Sequence, residues 1–337
     1  MNILYASVHS ILEHGECRLF LDLGHDVFSI HGAYHDGKGD GSRSPLAMKD
    51  HTHLQQVALQ CSRENLHQEI IDWADVIIVM HRADWIESNW GKLKKKKVIL
   101  RTIGQNTESN ERDLKRLRKE GLLIVRYSPM EKKIPEYVGE DVCIRFYKDQ
   151  NEYDGYNGNN SQIINLSQAM FGNDTVRSRG DHMSIDLFKK VVEGFPWKIF
   201  GRDNDLAGEH WAGSVSHEDL KAMMRFNRVF FYTGTRPASY TLAFIEALMV
   251  GMPIVSIGEV NGNSIYNQQT FEIPSIIENG KDGFFSDDIN TLREYIRNLL
   301  EDKELALKIG REARQKAISL FGKDNIMKQW RDFLEAL

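Results

Sequence analysis

Strand-like and helix-like segments alternate along most of the chain, and this alternation constrains the fold more than any other sequence feature. Short apolar runs such as "NILYASV", "DVIIVMH" and "KVILRTIG" are separated by longer polar stretches with helical spacing, such as "NERDLKRLRKEG". This pattern is typical of a parallel sheet covered by helices, because parallel strands need long crossover connections. The sequence therefore predicts an α/β protein with parallel sheets.

The alternation is interrupted once, in a Gly- and Asn-rich stretch at residues 151–162 that lacks apolar periodicity. A chain of 337 residues is too long for one ordinary core and suits two domains. We therefore expect an N-terminal domain over residues 1–150 and a C-terminal domain over residues 160–320. Residues 321–337 have helical spacing and form a last helix.

Composition excludes several classes of protein. The net charge of −5 gives no general attraction to phosphate polymers, and no apolar run is long enough to span a membrane. Three cysteines without a C-x-x-C indicate neither a disulfide framework nor a zinc site. The opening "MNILYASVHS" is typical of a strand rather than of a signal peptide, which predicts a cytoplasmic protein.

The stretch "RPASYTLAFIEALMVGMPIVSIG" carries the clearest functional signal. Residues 241–250 are predicted to form a helix that ends at Gly251, with Ser239 or Thr241 capping its start. The helix N-terminus then follows the carboxyl end of the strand "VFFYTG", where open α/β sheets bind ligands. Because helix N-termini attract phosphates, we expect an anion site there, with Arg236 as an additional donor.

Glu246 is the one acidic residue in this otherwise apolar helix. A buried carboxylate costs free energy unless it accepts hydrogen bonds. Sugar hydroxyls would supply donors, as the ribose does in dinucleotide-binding folds. A glutamate at the rim of an amphipathic helix, solvated or paired to an arginine, is the alternative that the sequence leaves open.

Three segments occur in the order typical of one enzyme family: "GSVSHEDLKAMMRFNRVFFYTG", "ASYTLAFIEALMVGMPIVSIG" and "IPSIIENGKDGFFSDDINTLREYIRNLLEDKELALKIGREARQKA". They cover most of residues 195–320, and there the chain resembles the GT-B glycosyltransferases of retaining family 4, the glycosyl transferases group 1 type. The resemblance implies two Rossmann-like domains with parallel sheets facing across a cleft. It also implies an acceptor on the N-terminal domain, a nucleotide-sugar on the C-terminal one, and a last helix that crosses back to the N-terminal domain.

The resemblance assigns roles to individual residues. It implies that Glu246 binds the nucleotide ribose and that the backbone amides of residues 239–241 hold the distal phosphate. Arg177 and Arg179 match an Arg and a Lys that neutralise the pyrophosphate, and Val215 lies where the base is expected. The implied donor-binding residues are Arg177, Val215, Arg236, Ser239, Tyr240, Thr241 and Glu246.

The chain departs from the family pattern at two places. Family members carry a first acidic residue eight positions before Glu246, where this chain has Ala238, so the identity of the donor sugar does not carry over. A histidine that often follows the strand "VILRTIGQ" is absent, and Gln105 is the nearest polar candidate. With His9 and Glu13 pointing toward the cleft from the opening loop, the catalytic candidates are Arg179, Gln105 and His9.

The sequence thus predicts a glycosyltransferase that moves a sugar from a nucleotide-sugar to a saccharide, a lipid-linked intermediate or a small molecule, with retention and without metal. A first alternative acceptor is a hydroxylated DNA base, for which residues 92–97 and 112–119 are the basic stretches. A second alternative, prompted by Ala238, is a nucleotide-sugar epimerase or a non-catalytic binding module. The acidic run at residues 203–205 predicts a solvated turn rather than a metal site.

Overall fold

The computed structural model describes residues 1–35, 39, 41, 43–173 and 179–337, so the candidate Arg177 lies outside the described residues. The described chain divides into two compact units. Unit 1 contains Met1–Tyr147 and Asp324–Leu337, and unit 2 contains Lys148–Lys323. No helix in the described ranges is long and apolar enough to cross a membrane.

In the described part of unit 1, six strands form one parallel sheet in the order β2-β1-β3-β4-β5-β6. All five residues of "VIIVM" are buried, as expected for a strand of a parallel sheet with both faces covered. The strands are β1 (Asn2–Ala6), β2 (Asp26–Ile30), β3 (Val76–Met80), β4 (Lys97–Arg101), β5 (Leu123–Arg126) and β6 (Val142–Cys143).

The helices that follow these strands supply the apolar layers on the sheet. The first one begins at Ser10, ahead of the helical spacing of "GECRLFLDLG" that starts at Gly15, because His9 serves as its N-cap. The five helices of the described residues 1–135 are α1 (Ser10–Asp22), α2 (Thr52–Ala58), α3 (Gln68–Trp73), α4 (Ala83–Leu93) and α5 (Glu108–Lys119).

Unit 2 has a sheet of five parallel strands in its described part, in the order β11-β10-β9-β7-β8. Its first strand begins at Asn160, inside the stretch that was expected to be a turn-rich boundary. The strands are β7 (Asn160–Leu166), β8 (Trp197–Phe200), β9 (Asn227–Tyr232), β10 (Ile254–Ile257) and β11 (Phe284–Ser286).

Helical spacing continues in the sequence from Asp288 to Phe321, which predicts one long helix. The structure has two helices there, because Asp302 ends one and caps the next by accepting from the Leu305 amide at 2.9 Å. The segments by which the chain enters and leaves unit 2 also pair, since the Lys148 amide donates to the Phe321 carbonyl at 2.9 Å. The helices of the described unit are α6 (Ile185–Val192), α7 (His217–Phe226), α8 (Leu242–Val250), α9 (Glu259–Gly262), α10 (Ile273–Ile276), α11 (Ile289–Glu301) and α12 (Lys303–Phe321).

Helix α8 is the most deeply buried element near the predicted anion site. Every residue from Phe244 to Val250 is buried. The helix ends at Gly251, whose φ of +89° is the left-handed conformation expected at this position. Helix α12 crosses at Gly310, where an added Cβ would lie 2.0 Å from the Gly251 carbonyl oxygen. These two glycines therefore allow α12 to pack directly on the end of α8.

The last helix, α13 (Lys323–Glu335), packs in unit 1. Trp330 is fully buried and meets the ring of Phe20 edge-on at 5.0 Å. The guanidinium of Arg101, itself inaccessible to solvent, lies 5.5 Å from the centre of the Trp330 ring. Arg101 also pairs with Glu16 at 2.7 Å, so the indole closes over a buried ion pair.

Replacing Trp330 with alanine is expected to destabilise unit 1 by about 3–5 kcal/mol, because it removes a large buried ring and exposes the Arg101–Glu16 pair. Hydrogen exchange should show faster exchange in peptides from Met1–Tyr147 and little change in Lys148–Lys323. Lys328→Ala, at an exposed position of the same helix, is the matched control. Unchanged protection of the Met1–Tyr147 peptides in Trp330→Ala would contradict this packing role.

Candidate functional site

The sheet of unit 2 reverses its strand order between β7 and β9. From β7 the chain goes to β8 on one side and then returns to β9 on the other side. Open α/β sheets bind ligands at such a switch point, beyond the carboxyl ends of the strands. The loop at residues 233–241 and the start of α8 follow β9 at this edge. The topology therefore places the predicted anion site at the switch point.

The N-terminus of α8 has no side-chain cap. Thr241 is the N-cap residue in extended conformation, and its side chain accepts no hydrogen bond from the helix. The predicted capping by Ser239 or Thr241 is therefore wrong. The backbone N–H groups of a first helical turn have no partner within the helix, and the helix dipole adds a partial positive charge there. This end of α8 is suited to an anion.

The buried polar atoms that have no hydrogen-bond partner in the described part of the chain include three at this edge, Oδ1 of Asn165, Oγ1 of Thr233 and Nε of Arg236. Each of these residues is at most 4% exposed. Asn165 lies near the end of β7, and Thr233 directly follows β9. Because buried polar groups are nearly always hydrogen-bonded, such a cluster indicates a site that a ligand completes.

The buried guanidinium of Arg236 holds the loop at residues 233–241 in place through hydrogen bonds. Its Nη1 donates to the Thr233 carbonyl at 3.0 Å, and its Nη2 donates to the Asp181 carbonyl at 3.2 Å and the Ser184 hydroxyl at 2.9 Å. Within the described residues no carboxylate lies within 4 Å of the guanidinium. Burial lowers its pKa to about 10, so it stays charged at neutral pH. The loop thus lies over a buried positive charge without a counter-ion.

Glu246 is buried and paired with a lysine, so it is neither a solvated rim residue nor the partner of an arginine. Its Oε1 lies 2.5 Å from Nζ of Lys148, 3.1 Å from the hydroxyl of Tyr153 and 3.9 Å from Nε2 of His217. The Tyr153 hydroxyl lies 2.9 Å from the same His217 nitrogen. The side chain of Lys221 lies 5.6 Å from the centre of the Tyr153 ring. The carboxylate therefore sits in a polar cluster inside unit 2.

Sequence reasoning missed the partners of Glu246. Lys148 precedes it by 98 residues in a segment without a motif, and Tyr153 lies in the stretch interpreted as a boundary. His217 belongs to the segment "SHEDL", where the only signal was the helix start. No spacing pattern connects these positions, so only the folded chain shows the cluster.

The remaining donor-side candidates are placed as follows. The side chains of Ser239 and Tyr240 are buried, and Tyr240 packs against Phe321 with ring centres 5.4 Å apart. Their backbones, rather than their side chains, are therefore the groups left for a ligand. Val215 is half-buried before α7, and Arg179 is exposed, with its amide donating to the Ala169 carbonyl at 2.9 Å.

In unit 1, His9 is half-buried and its Nδ1 accepts from the Leu12 amide at 3.4 Å. Gln105 is exposed in the loop after β4. Glu13 differs from its expected orientation, because it is fully buried and accepts from the Ser29 hydroxyl at 2.6 Å and the Ala33 amide at 2.7 Å. It fixes the turn after β2 rather than facing a ligand.

The loop that carries Gln105 is held by buried Glu131. This carboxyl accepts from the Thr102 hydroxyl at 2.6 Å and from the Asn106 amide group at 3.1 Å. Burial raises its pKa to about 7, although the charge of Arg126 opposes the rise. Side chains on both sides of Gln105 are thus hydrogen-bonded to one titratable group, the Glu131 carboxyl.

Polar and charged side chains in the stretches considered for metal or DNA binding bind neighbouring groups of the protein. In the run at residues 203–205, the Asn204 side chain donates to the Ser167 carbonyl, and the described residues contain no group of three metal-binding side chains. Lys92 and Lys96 of the first basic stretch donate to backbone carbonyls. In the second stretch the cations pair with carboxylates, as Arg112–Glu108, Lys115–Glu136, Arg116–Glu87 and Arg118–Asp141. This arrangement does not favour a DNA acceptor.

Comparison with known proteins agrees with this geometry. Residues 207–316 match the family model "Glycosyl transferases group 1". No curated relative matches the sequence.

Among solved structures, sucrose-phosphate synthase from Thermosynechococcus elongatus superposes with a TM-score of 0.69 at 13% identity over 100% of both chains. HepE from Anabaena in complex with UDP-glucose gives a TM-score of 0.67 at 14% identity, again over 100% of both chains. A glycosyltransferase from Rickettsia africae gives 0.66 at 15% identity over 98% of this chain and 97% of the other. At these identities the likeness shows a shared fold, the GT-B fold.

Replacing Glu246 with glutamine is expected to lower the free energy of unfolding by roughly 3 kcal/mol, because Lys148, whose side chain is 10% exposed, loses its counter-ion. Adding Lys148→Met should restore most of the loss. Urea denaturation measures both effects. Glu278→Gln, in a pair with Lys281 that is more than half exposed, should change stability by less than about 1 kcal/mol. A double variant no more stable than Glu246→Gln would contradict this account.

The Glu131 network predicts a pH dependence of stability. The folded chain keeps the proton on Glu131 up to about pH 7, whereas the unfolded chain loses it near its ordinary value of 4.5. The protonated Glu131 therefore contributes fully to the free energy of unfolding below pH 4.5. This contribution, roughly 3 kcal/mol, is lost as the pH rises from 4.5 to 7.

Glu131→Gln should remove this pH dependence of the free energy of unfolding. The difference in unfolding free energy between the variant and the wild type should therefore change steadily from pH 4.5 to pH 7. Chemical denaturation at several pH values measures the difference. Parallel stability curves for the two proteins would contradict the raised pKa.

Proposed function

We propose that this chain, whose residues 207–316 match the glycosyl transferases group 1 model and whose fold is GT-B, transfers a sugar from a nucleotide-sugar donor to a hydroxylated acceptor, with retention of anomeric configuration. The observation that carries the donor assignment is the uncapped N-terminus of α8 at the β7–β9 switch point, beside the buried charge of Arg236. A nucleoside diphosphate supplies the anion that this arrangement lacks.

The diphosphate binds at the start of α8. Backbone N–H groups from Ser239, Tyr240 and Thr241 donate to the distal phosphate, as expected for an anion at a helix N-terminus. Arg236 acts from beneath the loop through its charge, because three of its hydrogen bonds already go to the protein. Arg177 and Arg179 neutralise the pyrophosphate. Stabilising the leaving group in this way lowers the barrier to breaking the sugar–phosphate bond.

The nucleoside binds toward Glu246. Its carboxylate, 5% exposed, accepts hydrogen bonds from the two ribose hydroxyls, and Lys148 remains beside it as the counter-ion. The anionic state of Glu246 that ribose binding requires is thus already stabilised in the protein. Val215 contacts the base. HepE, which shares the fold, is described in complex with UDP-glucose, and this supports testing UDP-sugars first.

The sugar lies beside Ala238, which is half-buried. The absence of a carboxylate at this position leaves the sugar hydroxyls to other groups, so the donor sugar is set by features particular to this chain. Gln105 and His9 of unit 1 are our candidates for contacts to the reacting sugar and the acceptor. We propose that no metal takes part, because helix N–H groups and arginines supply the positive charge.

Release of free nucleoside diphosphate tests this proposal. Purified protein is incubated with UDP-, GDP-, ADP- and dTDP-sugars, together with a panel of saccharide and small-molecule acceptors. We expect one nucleotide series to give acceptor-dependent release of nucleoside diphosphate. Analysis of the product anomer by NMR tests retention. Interconversion of sugar epimers, or binding without turnover across the panel, would contradict the transferase assignment.

Glu246→Ala is expected to weaken donor binding at least tenfold, because the ribose hydroxyls lose their charged acceptor, a change equivalent to about 1.4 kcal/mol. Isothermal titration with the selected nucleotide measures the effect. Comparison with the double variant Glu246→Gln/Lys148→Met separates lost binding from lost stability. Glu301→Ala, at an exposed glutamate in unit 2, is the control. Equal nucleotide affinity in Glu246→Ala and wild type would exclude the ribose role.

A further inference from the structure

Histidines follow three neighbouring strands in the sheet of unit 1. His31 directly follows β2, His81 directly follows β3, and His9 follows β1, which lies between them. The strand order of this sheet reverses between β1 and β3. Because the carboxyl ends of parallel strands share one edge, the three imidazoles lie at the ligand-binding edge of unit 1. The family resemblance predicted no role for His31 or His81.

His81 has an unusual backbone conformation. Its φ is +65°, and the Arg82 amide donates to the Met80 carbonyl at 2.8 Å across it, which closes a three-residue turn. Left-handed turns of this kind cost about 1–3 kcal/mol for a residue with a bulky side chain and are concentrated at functional sites. Asn or Gly would adopt the conformation more easily. We therefore infer that this position carries a histidine because its imidazole ring is needed.

The ring of His81 is half-buried and makes no hydrogen bond or ion pair within the described part of the chain. Burial and the charge of Arg82 lower its pKa to about 4. The ring is therefore neutral at pH 7, with one nitrogen that donates and one that accepts. Arg82 itself pairs with Asp84, its Nε donating to the carboxylate at 2.7 Å, so its charge is compensated.

His31 repeats these features on the other side of β1. Its φ is also +65°, and its Nε2 is buried with no hydrogen-bond partner among the residues that the structure describes. The ring lies between His35, at a centroid distance of 5.5 Å, and Trp85 of α4, at 5.2 Å. Burial, with the positive charges of His35 and Arg63, lowers its pKa to about 4. A second neutral imidazole thus lies at this edge.

We propose that His31 and His81 bind the acceptor and that the acceptor is a neutral, polyhydroxylated molecule of the saccharide class. A hydroxyl group both donates and accepts a hydrogen bond, and a neutral imidazole offers one group of each kind. An anionic acceptor would instead call for available cations, whereas Arg82 is paired with Asp84 and the guanidinium of Arg63 lies 5.0 Å from the centre of the Trp85 ring. That the ligand is the acceptor rests on the proposed function. The site itself lies within unit 1 and does not depend on it.

Saturation-transfer NMR tests this site without knowledge of the natural acceptor. The probes are methyl α-glycosides of glucose, galactose and mannose, with glucose 6-phosphate as the anionic counterpart. We expect saturation transfer to at least one neutral glycoside in the wild-type protein. Failure of every neutral glycoside, or transfer only to glucose 6-phosphate, would overturn the proposal.

His81→Gly removes the ring and keeps the backbone, because glycine adopts a positive φ without strain. We expect this variant to lose at least fivefold in saturation transfer, whereas His81→Asn, which tolerates the turn and retains a donor and an acceptor, keeps part of it. His53→Ala, at an exposed histidine paired with Glu69, is the control and should match wild type. Wild-type transfer in His81→Gly would overturn the role of His81.

Nucleotide binding to the same variants separates this inference from the proposed function. If His81→Gly binds the donor nucleotide like wild type but loses the glycoside, both proposals are supported. If wild-type protein binds the glycoside through His81 but binds no nucleotide, the site in unit 1 stands and the donor assignment fails.

Discussion

The ion pair between Lys148 and Glu246 is the interaction on which the arrangement of unit 2 depends. It joins the first residue of the unit to a helix whose other late residues are apolar and buried. Tyr153 and His217 complete the polar surroundings of the carboxylate. Because an unpaired carboxylate at this depth would be costly, the pair fixes the rotation of α8 about its axis.

The start of α8 concentrates positive charge without a resident anion. The helix dipole contributes there, and Arg236 adds a buried guanidinium that carbonyl oxygens and one hydroxyl stabilise. Carbonyl dipoles stabilise the charged arginine without cancelling its electric field. A carboxylate partner would cancel most of that field. Ala238, half-buried in the same loop, adds no negative charge to this field. A negatively charged ligand is therefore favoured at this edge of the sheet.

Much of the architecture followed from local patterns, and the misses have local causes. Strands β1, β3 and β4 and the end of α8 at Gly251 were predicted because periodicity and left-handed glycines are short-range signals. Strand β7 was missed because its first residues, "NSQ", are typical of turns. The break between α11 and α12 was missed because Asp302, a good N-cap, lies within a continuous helical pattern.

The sequence by itself determined the alternation of strands and helices, the helix at residues 242–250 and the need of Glu246 for a partner. These properties depend on neighbouring residues and on the cost of burying a charge. Only the tertiary structure decided that the partner is Lys148, 98 residues away, and that Arg236 braces its loop from beneath. It also decided that His31 and His81 share one sheet edge. Such contacts depend on strand order and helix packing, which no local pattern specifies.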